Sequence, residues 1–117
     1  MNIEEYREYC LSFKGVTEEL PFDDRVLVFK VMGKMFALTD IEDFESINVK
    51  CDPEIALELR AKYKAVKAGY HMSKKHWNTI DIDGELTDTE LKEWIQHSYD
   101  LVVAKLTKKL KEELKGL

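Results

Sequence analysis

The sequence predicts an α+β domain in which helices cover one face of a mainly antiparallel sheet. Three observations favour this fold class: a helical repeat near the N-terminus, paired β-branched runs around Gly33, and a long helical repeat after Thr87. The predicted order is helix, three strands, helix, strand, helix (α-β-β-β-α-β-α). Because 117 residues leave little room for a second domain, we expect a single domain over residues 1–117.

The first helix is predicted from its cap and its periodicity. Asn2 can act as the N-cap, Glu5 stands three residues later as in a capping box, and Gly15 marks the end. The apolar repeat between them consists of Ile3, Tyr6, Cys10 and Phe13. This spacing places one apolar stripe on one side of the helix.

Three strands are expected to follow as an antiparallel meander. Residues 17–24 are acidic and contain a proline, which predicts a loop, and residues 25–31 form a β-branched and aromatic run. A tight turn at Gly33-Lys34 leads into a second strand over residues 35–39. Residues 46–51 alternate, with an apolar face of Ile47, Val49 and Cys51. This alternation is typical of a half-buried strand.

The second half of the chain begins with a helix after Asp52, an N-cap followed by Pro53. This helix is predicted to end near Lys64 and to be followed by an irregular stretch over residues 65–73. Residues 77–83 then favour a strand, and the face toward the core is expected to consist of Ile80 and Ile82.

The last helices are predicted from a capping box and two apolar repeats. Thr87 with Glu90 begins the third helix, whose inner face is predicted to consist of Leu91, Trp94, Ile95, Ser98, Val102 and Leu106. Leucines at positions 110, 114 and 117 predict a short amphipathic helix docked on the domain.

The composition restricts the classes of function. The net charge of -5 argues against a protein wholly devoted to nucleic acid, although acidic and basic blocks alternate along the chain. Cys10 and Cys51 stand in apolar surroundings without a metal-binding spacing, which favours buried free thiols. The N-terminus lacks the pattern of a signal peptide, and no apolar run is long enough for a membrane span. We therefore expect a cytoplasmic protein that does not associate with membranes.

The candidate binding segment is residues 62–79, which combines five lysines with two histidines, two tyrosines and a tryptophan. Lysines can neutralise phosphates and aromatic rings can stack on bases, so this composition suits a nucleic-acid contact. The candidate contact residues are Lys67, His71, Lys74, Lys75, His76 and Trp77. In this hypothesis Lys74 and Lys75 contact phosphates, Trp77 supplies a wall or stacking surface, and Lys67 adds long-range attraction.

The same residues also allow a structural interpretation. In it, the lysines of residues 62–79 remain solvated, while His71 hydrogen-bonds a loop carbonyl and Trp77 fills the space between the third helix and the sheet. His71 and His76 are five residues apart, which does not favour a shared metal. No activated nucleophile or glycine-rich phosphate loop is recognisable, so neither an enzyme nor a cofactor is predicted.

A family resemblance rests on the element formed by His71, Lys74, His76 and Trp77. The pattern continues through Thr79, the Asp83-Gly84 turn, Leu86, Asp88 and the Ser98-Tyr99 pair. With this element, residues 50–106 resemble the MmcQ/YjbR family of small bacterial proteins. The chain departs from the family pattern at Ala68, where proline is common, and at Ser73, where asparagine is common.

The resemblance implies a frataxin-like (CyaY-like) fold and a DNA-binding role of the "double wing" type. DNA binding of this kind is expected to be weak and salt-sensitive. Two alternatives remain open: a protein-interaction module that uses an open sheet face or the charged surfaces, and iron handling on an acidic ridge. The ridge would consist of Glu4, Glu5, Glu8, Glu18, Glu19, Asp23 and Asp24. A monomer is expected.

Overall fold

A computed structural model describes residues 1–70 and 72–117 of the chain. Over these residues it contains four helices and six strands: α1 (Ile3–Leu11), β1 (Val16–Glu19), β2 (Val26–Val31), β3 (Lys34–Asp40), β4 (Ser46–Lys50), α2 (Pro53–Lys62), β5 (Val66–Ala68), β6 (Trp77–Asp81), α3 (Asp88–Ala104) and α4 (Lys108–Lys115). The predicted α+β class with a mainly antiparallel sheet is confirmed.

The strands form one antiparallel sheet in the order β1-β2-β3-β4-β6-β5. Two of these strands were not predicted. β1 lies where an acidic loop was expected, and β5 lies in the stretch that was expected to be irregular. Both are edge strands in the described sheet. Edge strands often carry charged side chains, and here Glu19 of β1 and Lys67 of β5 form ion pairs with the neighbouring strands.

The hairpin between β2 and β3 turns one residue earlier than predicted. Val31 and Lys34 are cross-strand partners, so the turn consists of Met32 and Gly33. Both have positive φ angles, of 50° and 82°. Glycine adopts a positive φ readily. Met32 adopts it because a two-residue hairpin turn matches the twist of its two strands only when both turn residues have positive φ.

The main core lies between the sheet and the helices. Tyr6 of α1, Phe29 and Phe36 of the sheet and Ile95 of α3 are fully buried there. The capping boxes predicted for α1 and α3 are both present, which explains where these helices begin. On the opposite sheet face a smaller cluster consists of Val28, Leu38 and Trp77, with Val26, Met35 and Met72 packed against it.

Within the described part of the chain, the helices are too short or too polar to cross a membrane.

Candidate functional site

The basic turn, residues 73–77, connects the segment after β5 to the start of β6. Its backbone is closed by the amides of His76 and Trp77, which donate to the carbonyl of Ser73 at 3.2 and 3.0 Å. Lys74 and Lys75 stand exposed at the tip. The fold therefore presents two adjacent ammonium groups on a hydrogen-bonded turn.

Arg60 of α2 fixes the geometry of this turn. Its Nε donates to the Oδ1 of Asn78 at 2.7 Å, and its Nη2 donates to the carbonyl of Trp77 at 3.1 Å and to the carbonyl of Lys74. The planar guanidinium can hold three acceptors at once because its N–H groups form a rigid fork. Arg60 was not predicted as a site residue, because no local sequence pattern marks a side chain that binds backbone carbonyls fourteen and seventeen residues away.

Two further contacts attach the basic turn to the core. The carbonyl of His76 accepts from the backbone amide of Cys51 at 2.8 Å, which ties the turn to the end of β4. The side chain of Asn78 is buried beneath the turn and donates to the carbonyl of Ala56 in α2 at 3.4 Å. The turn is therefore held from both α2 and β4, and its conformation is set by tertiary contacts.

Trp77 is placed on the other side of the sheet from the position expected. The indole is 6% exposed and packs with Val28 and Leu38 on the face opposite α3, rather than between α3 and the sheet. Gly69 allows the close approach of the neighbouring strand, because an added Cβ at this position would come within 2.7 Å of the Cβ of Trp77. Buried in this way, the indole stabilises the base of the turn and has little surface for stacking on a base.

Lys67 is also engaged within the protein. Its Nζ lies 2.8 Å from the Oδ2 of Asp81 on the neighbouring strand. This hydrogen bond, together with the charge of the carboxylate, raises the pKa of Lys67. The ion pair reduces the long-range attraction that this lysine was expected to supply.

Of the two histidines among the candidate contact residues, the structure describes His76 but not His71. His76 is half-buried and belongs to the basic turn through its backbone. His71, which was expected either to contact DNA or to hydrogen-bond a loop carbonyl, lies outside the described residues.

A cleft of about 380 Å³ opens beside the basic turn. It lies between the turn and the first turns of α2, and its lining consists of Pro53, Glu54, Leu57, Arg60, Lys74 and Lys75. Leu57 is 63% exposed at this cleft. The cleft therefore combines an apolar floor with three cations and one acid, Glu54, whereas a solvated lysine loop would have no apolar floor.

The acidic ridge proposed from the sequence is divided by ion pairs. Glu18 accepts from the guanidinium of Arg7, a contact that lowers the pKa of Glu18, and Glu19 lies 2.8 Å from the Nζ of Lys30. Within residues 1–70 and 72–117, no three His, Cys, Asp or Glu side chains come together in a group able to hold a metal ion. This arrangement does not favour the iron-handling hypothesis.

Both thiols are free and buried, as predicted. Burial raises the pKa of Cys51 to about 11 and raises the pKa of Cys10 as well. Because the thiolate is the reactive form, neither side chain is poised as a nucleophile near neutral pH.

The comparisons with known proteins agree with the fold and with the resemblance. The family model described as YjbR matches residues 11–101. The chain is 30% identical over 104 residues to protein YjbR of Escherichia coli strain K12, covering 88% of each chain. It is 38% identical over 90 residues to protein YbdF of Escherichia coli O157:H7, covering 76% of this chain and 74% of that one.

A solved structure is similar over nearly the whole length. The crystal structure of protein DR2400 from Deinococcus radiodurans, a DUF419 domain, superposes with a TM-score of 0.91 at 39% identity. The match covers 97% of this chain and 88% of that one.

Proposed function

The chain belongs to the YjbR family, and we propose that it is a non-enzymatic binding domain that contacts the phosphate backbone of double-stranded DNA through Lys74 and Lys75. The observation that carries this proposal is the fixed geometry of the basic turn. Arg60 holds the carbonyls of Lys74 and Trp77, so the backbone that carries the two lysines is ordered before any ligand arrives. Pre-ordering reduces the conformational entropy lost on binding.

The charges of the turn support an anionic ligand. Across residues 1–70 and 72–117, no carboxylate lies within the 4.0 Å ion-pairing distance of the Nζ of Lys74 or Lys75. Lys67 of the same segment is paired to Asp81 by contrast. The two turn lysines therefore carry the contact, and each can displace one condensed counterion from DNA.

The position of Trp77 restricts the kind of recognition. A buried indole leaves contacts to phosphates rather than stacking on bases, so we expect no preference for single strands and little sequence specificity. The net charge of -5 opposes the approach of DNA at long range. Binding is therefore expected to be weak and to weaken further as the salt concentration rises.

The test is fluorescence anisotropy of labelled double-stranded and single-stranded DNA at several salt concentrations. With two phosphate contacts, log K should fall against log[salt] with a slope of roughly -2. The variant Lys74→Ala/Lys75→Ala should abolish most of the binding. The matched control is Lys108→Ala/Lys109→Ala, which removes the same charge from exposed positions on α4.

Two results would contradict the proposal. The first is an equal loss of binding in both double variants, which would mean that DNA responds only to net charge. The second is unchanged binding by a folded Lys74→Ala/Lys75→Ala protein, which would place the contact elsewhere.

A further inference from the structure

The loop between β1 and β2 exposes apolar side chains among acids. Leu20 and Phe22 are exposed, Phe22 by 67%, and Asp23 and Asp24 follow directly. Asp23 fixes the end of this loop, because its Oδ1 accepts from the amides of Arg25 and Val26 at 2.8 and 2.9 Å. A large aromatic ring is thus held in solvent beside two carboxylates, although burial would stabilise it.

The cleft beside the basic turn has the complementary composition. Its apolar floor includes Leu57, and its charged lining consists of Arg60, Lys74 and Lys75 against one acid, Glu54. Lys74 and Lys75 have no carboxylate within ion-pairing distance among the described residues. A volume of about 380 Å³ accommodates one aromatic side chain. The acidic loop offers an aromatic ring and the carboxylate of Asp24, and the cleft offers an apolar floor and an excess of positive charge.

The loop and the cleft of one molecule cannot meet. The loop enters β2 at Val26, at the sheet end where Asp81 finishes β6, whereas the basic turn enters β6 at the opposite end, through Trp77. Strands β2 and β6 are also separated by β3 and β4. With strands about 4.8 Å apart and a rise of about 3.3 Å per residue, the two features lie roughly 20 Å apart at diagonal corners of the sheet.

We propose that a second copy of this chain docks residues 20–24 into the cleft, with Phe22 against Leu57 and Asp24 beside Lys74 and Lys75. The contact joins two different surfaces and is therefore heterologous, so it extends head to tail from one copy to the next. One aromatic anchor and a few ion pairs form a small interface, which binds weakly. A nucleic acid would meet the lysines but leave the apolar floor uncovered, whereas residues 20–24 satisfy both.

This contact does not rest on DNA binding, although it uses the same two lysines. If both occur, duplex DNA and a second copy compete for Lys74 and Lys75. The experiment is therefore done without DNA, so that either proposal can fail while the other stands.

Sedimentation equilibrium at low salt measures the association directly. The weight-average mass of the unmodified chain should rise above the 13.7 kDa of the monomer at protein concentrations on the order of 1 mM. Phe22→Ser and Lys74→Glu/Lys75→Glu should each remain monomeric. Matched controls at equally exposed positions, Leu117→Ser and Lys108→Glu/Lys109→Glu, should associate like the unmodified chain.

A mixture of the two defective variants gives the sharpest readout. Phe22→Ser keeps an intact cleft and Lys74→Glu/Lys75→Glu keeps an intact loop, so together they can form one contact and no further one. The mixture should reach the mass of a dimer and stop there, while each variant alone stays at the mass of a monomer. Far-UV circular dichroism of each variant checks that it is folded.

Three results would overturn the inference: a monomeric unmodified chain at this concentration, association that survives Phe22→Ser, or a mixture of folded variants that remains monomeric. In each case the cleft would not take residues 20–24 of a second copy.

Discussion

The basic turn and α4 both expose neighbouring lysines, but different forces hold them in place. In the turn, the carbonyls of Lys74, His76 and Trp77 accept hydrogen bonds from Arg60 and Cys51. In α4, Lys108 and Lys109 follow the N-cap Thr107, and the helix is attached by an apolar contact. Leu114 packs against Gly15 so closely that a Cβ there would come within 2.5 Å of its Cδ1.

The difference shows that the same residue type can belong to two kinds of surface. The lysines of α4 lie on the polar face of an amphipathic helix, where their charged groups are solvated. The lysines of the turn lie on a backbone fixed by polar contacts and beside an apolar cleft. Lysine content alone therefore does not identify a binding site, whereas a fixed backbone beside a cleft does favour one.

The largest effect is expected in α4. Leu114→Ala removes a buried side chain and leaves a cavity against Gly15, so the free energy of unfolding should fall by about 3 kcal/mol. Denaturation in urea measures this loss. Gly15 precedes β1, which is separated by β2, β3 and β4 from the strand that follows the basic turn, so DNA binding by the folded variant should be unchanged. A loss below about 1 kcal/mol would show that α4 is not held by Leu114.

A smaller effect is expected when the polar clamp is removed from the turn. Arg60→Met keeps an unbranched side chain but leaves the Oδ1 of the buried Asn78 and the carbonyl of Lys74 without their donor, while the carbonyl of Trp77 keeps the amide of Gly69; this should cost about 2 kcal/mol. The matched control, Lys109→Met on α4, changes the same charge in solvent and should stay within about 0.5 kcal/mol. Equal losses in urea denaturation would contradict the role given to Arg60.

Much of the fold could be predicted because it depends on local signals. The caps at Asn2, Asp52 and Thr87 each begin a helix, and the alternation of residues 46–51 marks β4 correctly. The edge strands β1 and β5 could not be recognised from local sequence. They are four and three residues long, and their charged residues are stabilised by partners distant in sequence, such as Arg7 for Glu18.

The candidate site was predicted less completely than the fold. Lys74 and Lys75 could be identified from composition, and the structure places both at an exposed tip. The side chosen for Trp77 was wrong, although a signal was present: in a strand with Ile80 toward the helices, a residue three positions earlier faces the opposite side. Arg60 had no such signal, because its partners are backbone carbonyls that come near it only after folding.

The two cysteines provide a local measure of how firmly the turn is held. Cys51 donates its backbone amide to the carbonyl of His76, whereas Cys10 is a buried residue of α1. Both thiols should react slowly with a thiol reagent in the native protein at pH 8, because burial excludes the reagent and raises the pKa of Cys51 to about 11. The charge of Arg60 lowers the pKa of Cys51, so Arg60→Met without any opening should slow the labelling of Cys51. Loosening of the turn should instead raise this rate about tenfold, which corresponds to about 1.4 kcal/mol of local opening free energy. The rate for Cys10, resolved by mass spectrometry of the labelled peptides, should change much less. If both rates rise together, the variant opens the whole core, and Arg60 stabilises the fold in general rather than the basic turn in particular.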